Sequence, residues 1–245
     1  MKIYDKTNKE ILTLSDWLTK APPAKGTAQL KELKSALELA KCWFREEEAS
    51  VPNELQAFFE NNELTKDLVI TVAYPEKETK LDSYGKGRNH DLVLLSETKT
   101  DKILISIEAK ADEPYGRVIN QYIKSVSSNS RVPNRIEELT SAILGDKENE
   151  HLRYQLLHAI AGTIIEAGKQ HATKAILLVH EFHSSETSAK DISRNEQDLN
   201  TFLSQLFDQP VELQNNQLLG PINVNGGENV PKGIPLYVGR VVTQM

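Results

Sequence analysis

Four short apolar runs divide the chain, and each has the length and the β-branched content that predict a strand. They cover residues 67–74, 90–95, 102–110 and 174–182. The second and third are separated only by the polar turn 96–101, so they read as an antiparallel hairpin. The fourth is apolar almost throughout, as expected of a strand buried on both faces. Between the runs, hydrophobic residues recur at helical spacing. From residue 27 or 28 to about 49, Leu30, Leu33, Leu37, Ala40 and Phe44 make a stripe widened by Ala36 and Trp43. From 150 to 168 a second stripe carries Leu152, Leu156, Ile160 and Ile164, with Ala159, Ala161 and Gly162 small enough to let a sheet approach closely.

The remaining segments complete an α/β reading. Residues 1–26 look like a short arm with Leu12, Leu14, Trp17 and Leu18 on one face, stopped by the Pro22-Pro23 turn. Pro52 opens a short helix through Phe58 and Phe59. A glycine-bearing turn at Gly85 and Gly87 precedes the hairpin, residues 117–148 alternate short helical patterns with polar turns, and a helix is expected over 196–207. The stretch 215–235 is rich in Gly, Asn and Pro, and a last strand covers 236–242. Together these predict one domain over 27–245, a mixed central β-sheet flanked by helices, in the order α-β-β-β-(helical insertion)-α-β and with its core at about 30–185. Residues 186–245 elaborate it.

The ends of the hairpin carry the chemistry. Asp91 begins the second run, and Glu108 and Lys110 close the third. Residues two apart on a strand share a face, so Glu108 and Lys110 project together, and antiparallel pairing brings Asp91 beside them. An acidic-x-Lys triplet alone means little, because about four are expected from this composition and four occur. Those at Glu32, Glu78 and Glu97 fall in a helical stretch, a polar segment and a turn. Only Glu108-Ala109-Lys110 ends an apolar strand with an acid supplied opposite. Two carboxylates suit Mg2+, which takes oxygen ligands in octahedral geometry. Beside it Lys110 has two possible tasks: to help deprotonate a water, or to stay charged and hold a phosphate.

These residues and the order of elements resemble the PD-(D/E)XK nuclease superfamily, also called restriction-endonuclease-like. The resemblance covers roughly residues 30–185. It implies that Asp91, Glu108 and the backbone carbonyl of Ala109 bind Mg2+ or Mn2+, that Lys110 is the catalytic lysine, and that the substrate is DNA or else RNA. His90 stands where the family name has proline. Many such nucleases add a glutamate from the first core helix, and Glu38, bordering the apolar stripe, is the first choice here over Glu46, Glu47, Glu48 and Glu54. Gln155, at the start of the later helix, is a candidate to reach the site or substrate. Many relatives act as homodimers. A catalytically silent module of the same fold, binding nucleic acid or a protein, is the alternative.

Composition adjusts this picture without overturning it. The net charge is −6, which disfavours a phosphate-binding surface. Residues 79–135, however, hold ten Lys and Arg against seven Asp and Glu, and Lys80, Lys86, Arg88, Arg117, Lys124, Arg131 and Arg135 are expected to frame a substrate groove. No run is long enough to cross a bilayer and the first residues lack a leader's apolar stretch, so a cytoplasmic protein without membrane partners is expected. The single cysteine, Cys42, excludes an internal disulfide and reads as a packing residue. His180 and His183 straddle a strand end on opposite faces and do not read as a zinc pair. His158 reads as a hydrogen-bonded interior histidine, and Gly226-Gly227 as a turn.

Overall fold

A computed structural model describes every residue except Lys25 and Glu47. The apolar runs form the centre of a seven-stranded mixed sheet. Its strands are β1 (Lys2–Ile3), β2 (Val69–Thr79), β3 (Arg88–Glu97), β4 (Lys102–Lys110), β5 (Lys174–His183), β6 (Leu218–Ile222) and β7 (Leu236–Gln244), in the spatial order β1-β2-β3-β4-β5-β7-β6. β3 runs antiparallel to both of its neighbours, β2 and β4, whereas β4, β5 and β7 are parallel. Leu92, Val93 and Leu94 of β3 are wholly buried, as are Leu104, Ile105 and Ile107 of β4. This is the continuous burial that a sheet covered on both faces imposes.

Helices cover each face. On one side α1 (Leu14–Lys20), α2 (Ser35–Trp43) and α3 (Asn53–Asn61) bury Trp17, Leu39, Trp43, Leu55 and Phe58 against the odd-numbered residues of β4. On the other, α4 (Ile119–Ser125), α5 (Val132–Ile143), α6 (Tyr154–Lys169) and α7 (Ala189–Phe207) enclose a second core with Leu104, Leu177, Val179 and Val238. The chain is therefore an α/β protein with a mixed sheet between two helical layers. Its central elements follow the expected order, α2, β2, β3, β4, the α4–α5 insertion, α6 and β5.

Several expected boundaries differ. The helix expected from residue 27 or 28 to 49 is instead a 3-10 turn at Thr27–Gln29 followed by the nine-residue α2. Leu33 breaks it with φ +62, and its backbone N–H is taken by Glu38 Oε1 at 3.0 Å, so the stripe was continuous in sequence but not in backbone. α7 begins seven residues before its expected start. Ser188 caps it by accepting from Asp191 N at 3.1 Å, and its polar first turns concealed it. β6 lies within the stretch read as Gly/Asn/Pro-rich connection. The arm, too, is tied to the body: β1 pairs parallel with β2, and Trp17 is buried in the core while Leu12, expected beside it, is 62% exposed.

Candidate catalytic site

Asp91, Glu108 and Lys110 meet where β3 and β4 part. The register pairs Leu92 with Ile107, which sets Asp91 opposite Glu108, and the ladder ends there. Asp91 Oδ2 instead accepts the Ala109 backbone N–H at 2.7 Å. The side chain thus replaces a strand's carbonyl at the seam, satisfying a donor that would otherwise lose its partner. Lys110 Nζ donates to Glu108 Oε1 at 2.6 Å and to the Ala109 carbonyl at 3.2 Å, and it lies 5.2 Å above the Tyr115 ring.

The same row contains a residue that sequence reasoning missed. β2 and β3 pair Pro75 with Leu92 and Lys77 with His90, so Glu76 faces Asp91. Glu76 has φ +51, a left-handed conformation costly for a side chain of its size. Face alternation breaks in both strands here. Ala73 and Leu92 pack on the α2 side, yet Thr79, His90 and Arg88 all reach α6. The signal was the register itself, readable only once the turn between β2 and β3 was placed.

Beneath α6 the trio is tied into a buried polar network. Glu108 is 1% exposed and Arg88 4%. Arg88 Nη2 donates to Glu108 Oε2 at 2.5 Å, its Nη1 to His158 Nδ1 at 2.8 Å, and its Nε to His90 Nδ1 at 3.3 Å. Because arginine only donates, both histidines accept at Nδ1 and carry their proton on Nε2. His90 then donates to Thr79 Oγ1 at 3.1 Å, which donates to Glu166 Oε2 at 2.8 Å. Gln155 Nε2 also donates to Glu108 Oε1. Gly162 makes room for this layer: a Cβ there would lie 2.8 Å from Arg88 Cδ and 3.0 Å from His90 Cε1. The small residues of α6 thus accommodate Arg88 and His90 as well as the sheet.

Charge is unevenly distributed over the row. Burial pushes the Glu108 carboxyl up, but Lys110 and Arg88 outweigh it and hold the pKa below the usual range. Burial and then the Glu108 charge push Asp91 well above it. Glu76, half-buried and without a cation of its own, is pushed up to about 7 by its partial loss of water. Burial lowers the Lys110 pKa, and the Glu108 and Asp91 carboxylates more than offset that, so the ammonium stays charged. His90 and His158 are held neutral by burial and by Arg88.

Not every candidate comes to this place. Glu38 Oε1 accepts from Leu33 N and from Lys41 Nζ at 3.1 Å, and it faces Cys42 and Glu54 rather than the trio. Glu54 forms a two-point pair with Arg45 at 2.8 and 2.9 Å, Glu46 and Glu48 are exposed beyond α2, and Glu47 lies outside the described residues. Of the basic residues expected along a groove, Arg88 is buried on Glu108 and Arg135 is bound to Asp82. Arg117 bonds Ser125, and Arg131 lies over the Tyr84 ring. Sequence cannot distinguish a buried arginine from an exposed one. His158 is an interior hydrogen-bonded histidine, and His180 and His183 bond Thr243 and Glu181 separately.

As donors, the Asp91 and Glu108 carboxylates and the Ala109 carbonyl offer only oxygen, which suits a hard divalent cation. Both Glu108 oxygens already accept from cations or Gln155, so Lys110 or Gln155 must withdraw from Oε1 for a metal to reach it. Among the described residues, no three His, Cys, Asp or Glu side chains gather closely enough to hold a metal by themselves.

Residues 10–245 match the family described as "Domain of unknown function (DUF6946)", and the chain belongs to that family. No curated protein and no solved structure matches it. Among the described residues, no helix is long and apolar enough to cross a membrane.

Proposed function

We propose that the protein is a metal-dependent nuclease of the restriction-endonuclease-like kind, hydrolysing phosphodiester bonds, of DNA in the first instance. The observation that carries this reading is the convergence of Asp91, Glu108 and Lys110 at the parted ends of β3 and β4. Asp91, Glu108 and the Ala109 carbonyl would hold Mg2+ or Mn2+. A cation there supplies positive charge for the developing phosphate and acidifies water. Lys110, kept charged by its neighbours, suits the clamp that orients a phosphate oxygen better than it suits a base. Gln155 fixes the orientation of Glu108. A cytoplasmic role in restriction, repair or defence belongs to the same proposal.

A second reading has its own support. Arg88, Lys110 and Gln155 together satisfy Glu108, as they would in a catalytically silent module that binds nucleic acid or a protein. Cleavage of mixed DNA and RNA substrates with Mg2+ or Mn2+ separates the two, using wild type beside Asp91→Ala and Lys110→Ala purified in parallel. Activity in wild type alone supports the nuclease. Metal binding without cleavage in any preparation points to the module, and equal activity in all three places the chemistry elsewhere.

A further inference from the structure

A cleft of about 860 Å³ lies between the N-terminal arm and the distal ends of β2 and β3. Four lysines line it: Lys6 and Lys20 from the arm, Lys77 from β2 and Lys86 from the turn before β3. Against them stand Glu76 and Glu78. Glu78 is already engaged by the Gly87 N–H at 2.8 Å and by Lys80 at 3.4 Å. The cleft is therefore basic on a protein whose net charge is −6. Its acidic point is Glu76, the residue that faces Asp91 across β2 and β3.

The walls are fixed before anything binds. Parallel pairing of Ile3 with Ala73 and the Tyr4 N to Ala73 O bond at 2.9 Å hold the arm to the sheet. The loop bearing Lys6 is ordered by the buried Asp5, whose Oδ1 accepts from Thr7 N at 2.7 Å and Lys9 N at 2.9 Å. Lys20 is set by the Glu10 carbonyl at 3.0 Å and Asp16 at 2.8 Å, and the Lys77 ammonium lies 4.6 Å above the Tyr74 ring. Lys6 and Lys86 are exposed, and no ion pair to another described residue engages either one. The arm side continues through residues 21–24, which are only alanine and proline and bring no further charge to the lining.

We infer that this cleft takes the sugar-phosphate backbone of a nucleic-acid strand and leads it to the row of Glu76, Asp91 and Glu108. Spaced ammonium groups on a pre-formed wall whose lining includes Glu76, the neighbour of Asp91 in the sheet, match a polyanion that must pass the site to be cut. The arm is then part of the substrate path. This rests on the nuclease reading above.

The test is anisotropy of fluorescent single-stranded and duplex oligonucleotides in EDTA over a salt series. Wild type is compared with Lys6→Gln/Lys77→Gln/Lys86→Gln and with a control, Lys66→Gln/Lys99→Gln/Lys190→Gln, on exposed positions elsewhere. Thermal melts confirm that all three fold alike. Each phosphate charge no longer neutralised should reduce the slope of log affinity against log salt by about 0.7 for a single strand or about 0.9 for a duplex. With three charges removed, the cleft variant is expected to lose about 2 in slope on a single strand or nearly 3 on a duplex, with the control unchanged; the form whose loss reaches its own value is the one the cleft holds. Equal slopes in wild type and cleft variant overturn the inference, and cleavage that still depends on Asp91 then leaves the nuclease reading standing. A wild type that neither binds nor cleaves any of these nucleic acids overturns both.

Discussion

Arg88 Nη2 and Glu108 Oε2 lie 2.5 Å apart with both side chains almost wholly buried, so the acid at the centre of the candidate site is neutralised from below as well as by Lys110. Leaving a buried charge without its partner costs about 3–5 kcal/mol. Arg88→Ala should therefore lose stability on that scale in urea denaturation, and Mg2+ should restore part of it by replacing the missing charge. A loss below about 1 kcal/mol would show that Lys110 and Gln155 suffice for Glu108.

Asp91→Asn separates charge from hydrogen bonding. The amide oxygen can still accept the Ala109 N–H that Asp91 Oδ2 accepts at 2.7 Å, while the side chain can no longer ionise against Glu108. The metal-free variant should melt at or above the wild-type temperature, yet show no stabilisation by Mn2+. A marked loss of stability without metal would mean that the Asp91 charge itself holds β3 to β4.

The pH dependence should run against the usual carboxylate trend. An acid whose pKa is raised on folding stabilises the native state fully below its unfolded value and loses that contribution as pH rises through the folded value. Glu76 goes from 4.5 to about 7 and Asp91 is also raised, so metal-free protein should weaken as pH climbs from about 5 toward 7 and above. Glu108, lowered on folding, acts in a separate window, losing its contribution as pH falls below 4.5. Urea midpoints between about pH 5 and pH 8 should fall for wild type and change less for Glu76→Gln. Parallel profiles would remove Glu76 from the charged row.

Gly162→Ala would gain about 1 kcal/mol of helix propensity but place a Cβ 2.8 Å from Arg88 Cδ. Arg88 cannot swing away without giving up Glu108 and His158. Overpacking of about 1–3 kcal/mol should win, leaving the variant less stable. Combined with Arg88→Ala, the substitution should cost much less than it does alone, a non-additivity that a double-mutant cycle in urea would measure.

Much of the architecture was legible because it rests on local patterns. Residues 102–110 were read as a strand and are β4, the 174–182 run falls within β5, and the α-β-β-β-α-β order follows from runs that must bury themselves in a sheet. The Asp91–Glu108–Lys110 grouping was legible for a similar reason, since a hairpin with a short turn fixes its own register. Helix limits were less so. Leu33 continues an apolar stripe yet sits at φ +62, and periodicity records which face a side chain would take without requiring the backbone to be helical.

Sequence alone determined the fold class and which two strands would bring two acids and a lysine together, because alternation and short-range pairing depend on neighbours along the chain. Only the tertiary structure decided what surrounds them. It placed Arg88 beneath Glu108 rather than in a groove, set Glu76 opposite Asp91, turned Glu38 toward Lys41, and made the arm a wall of the basic cleft. Each depends on how separate elements pack and on where burial leaves a charge without water. Those quantities belong to the folded chain and are not encoded in the spacing of its residues.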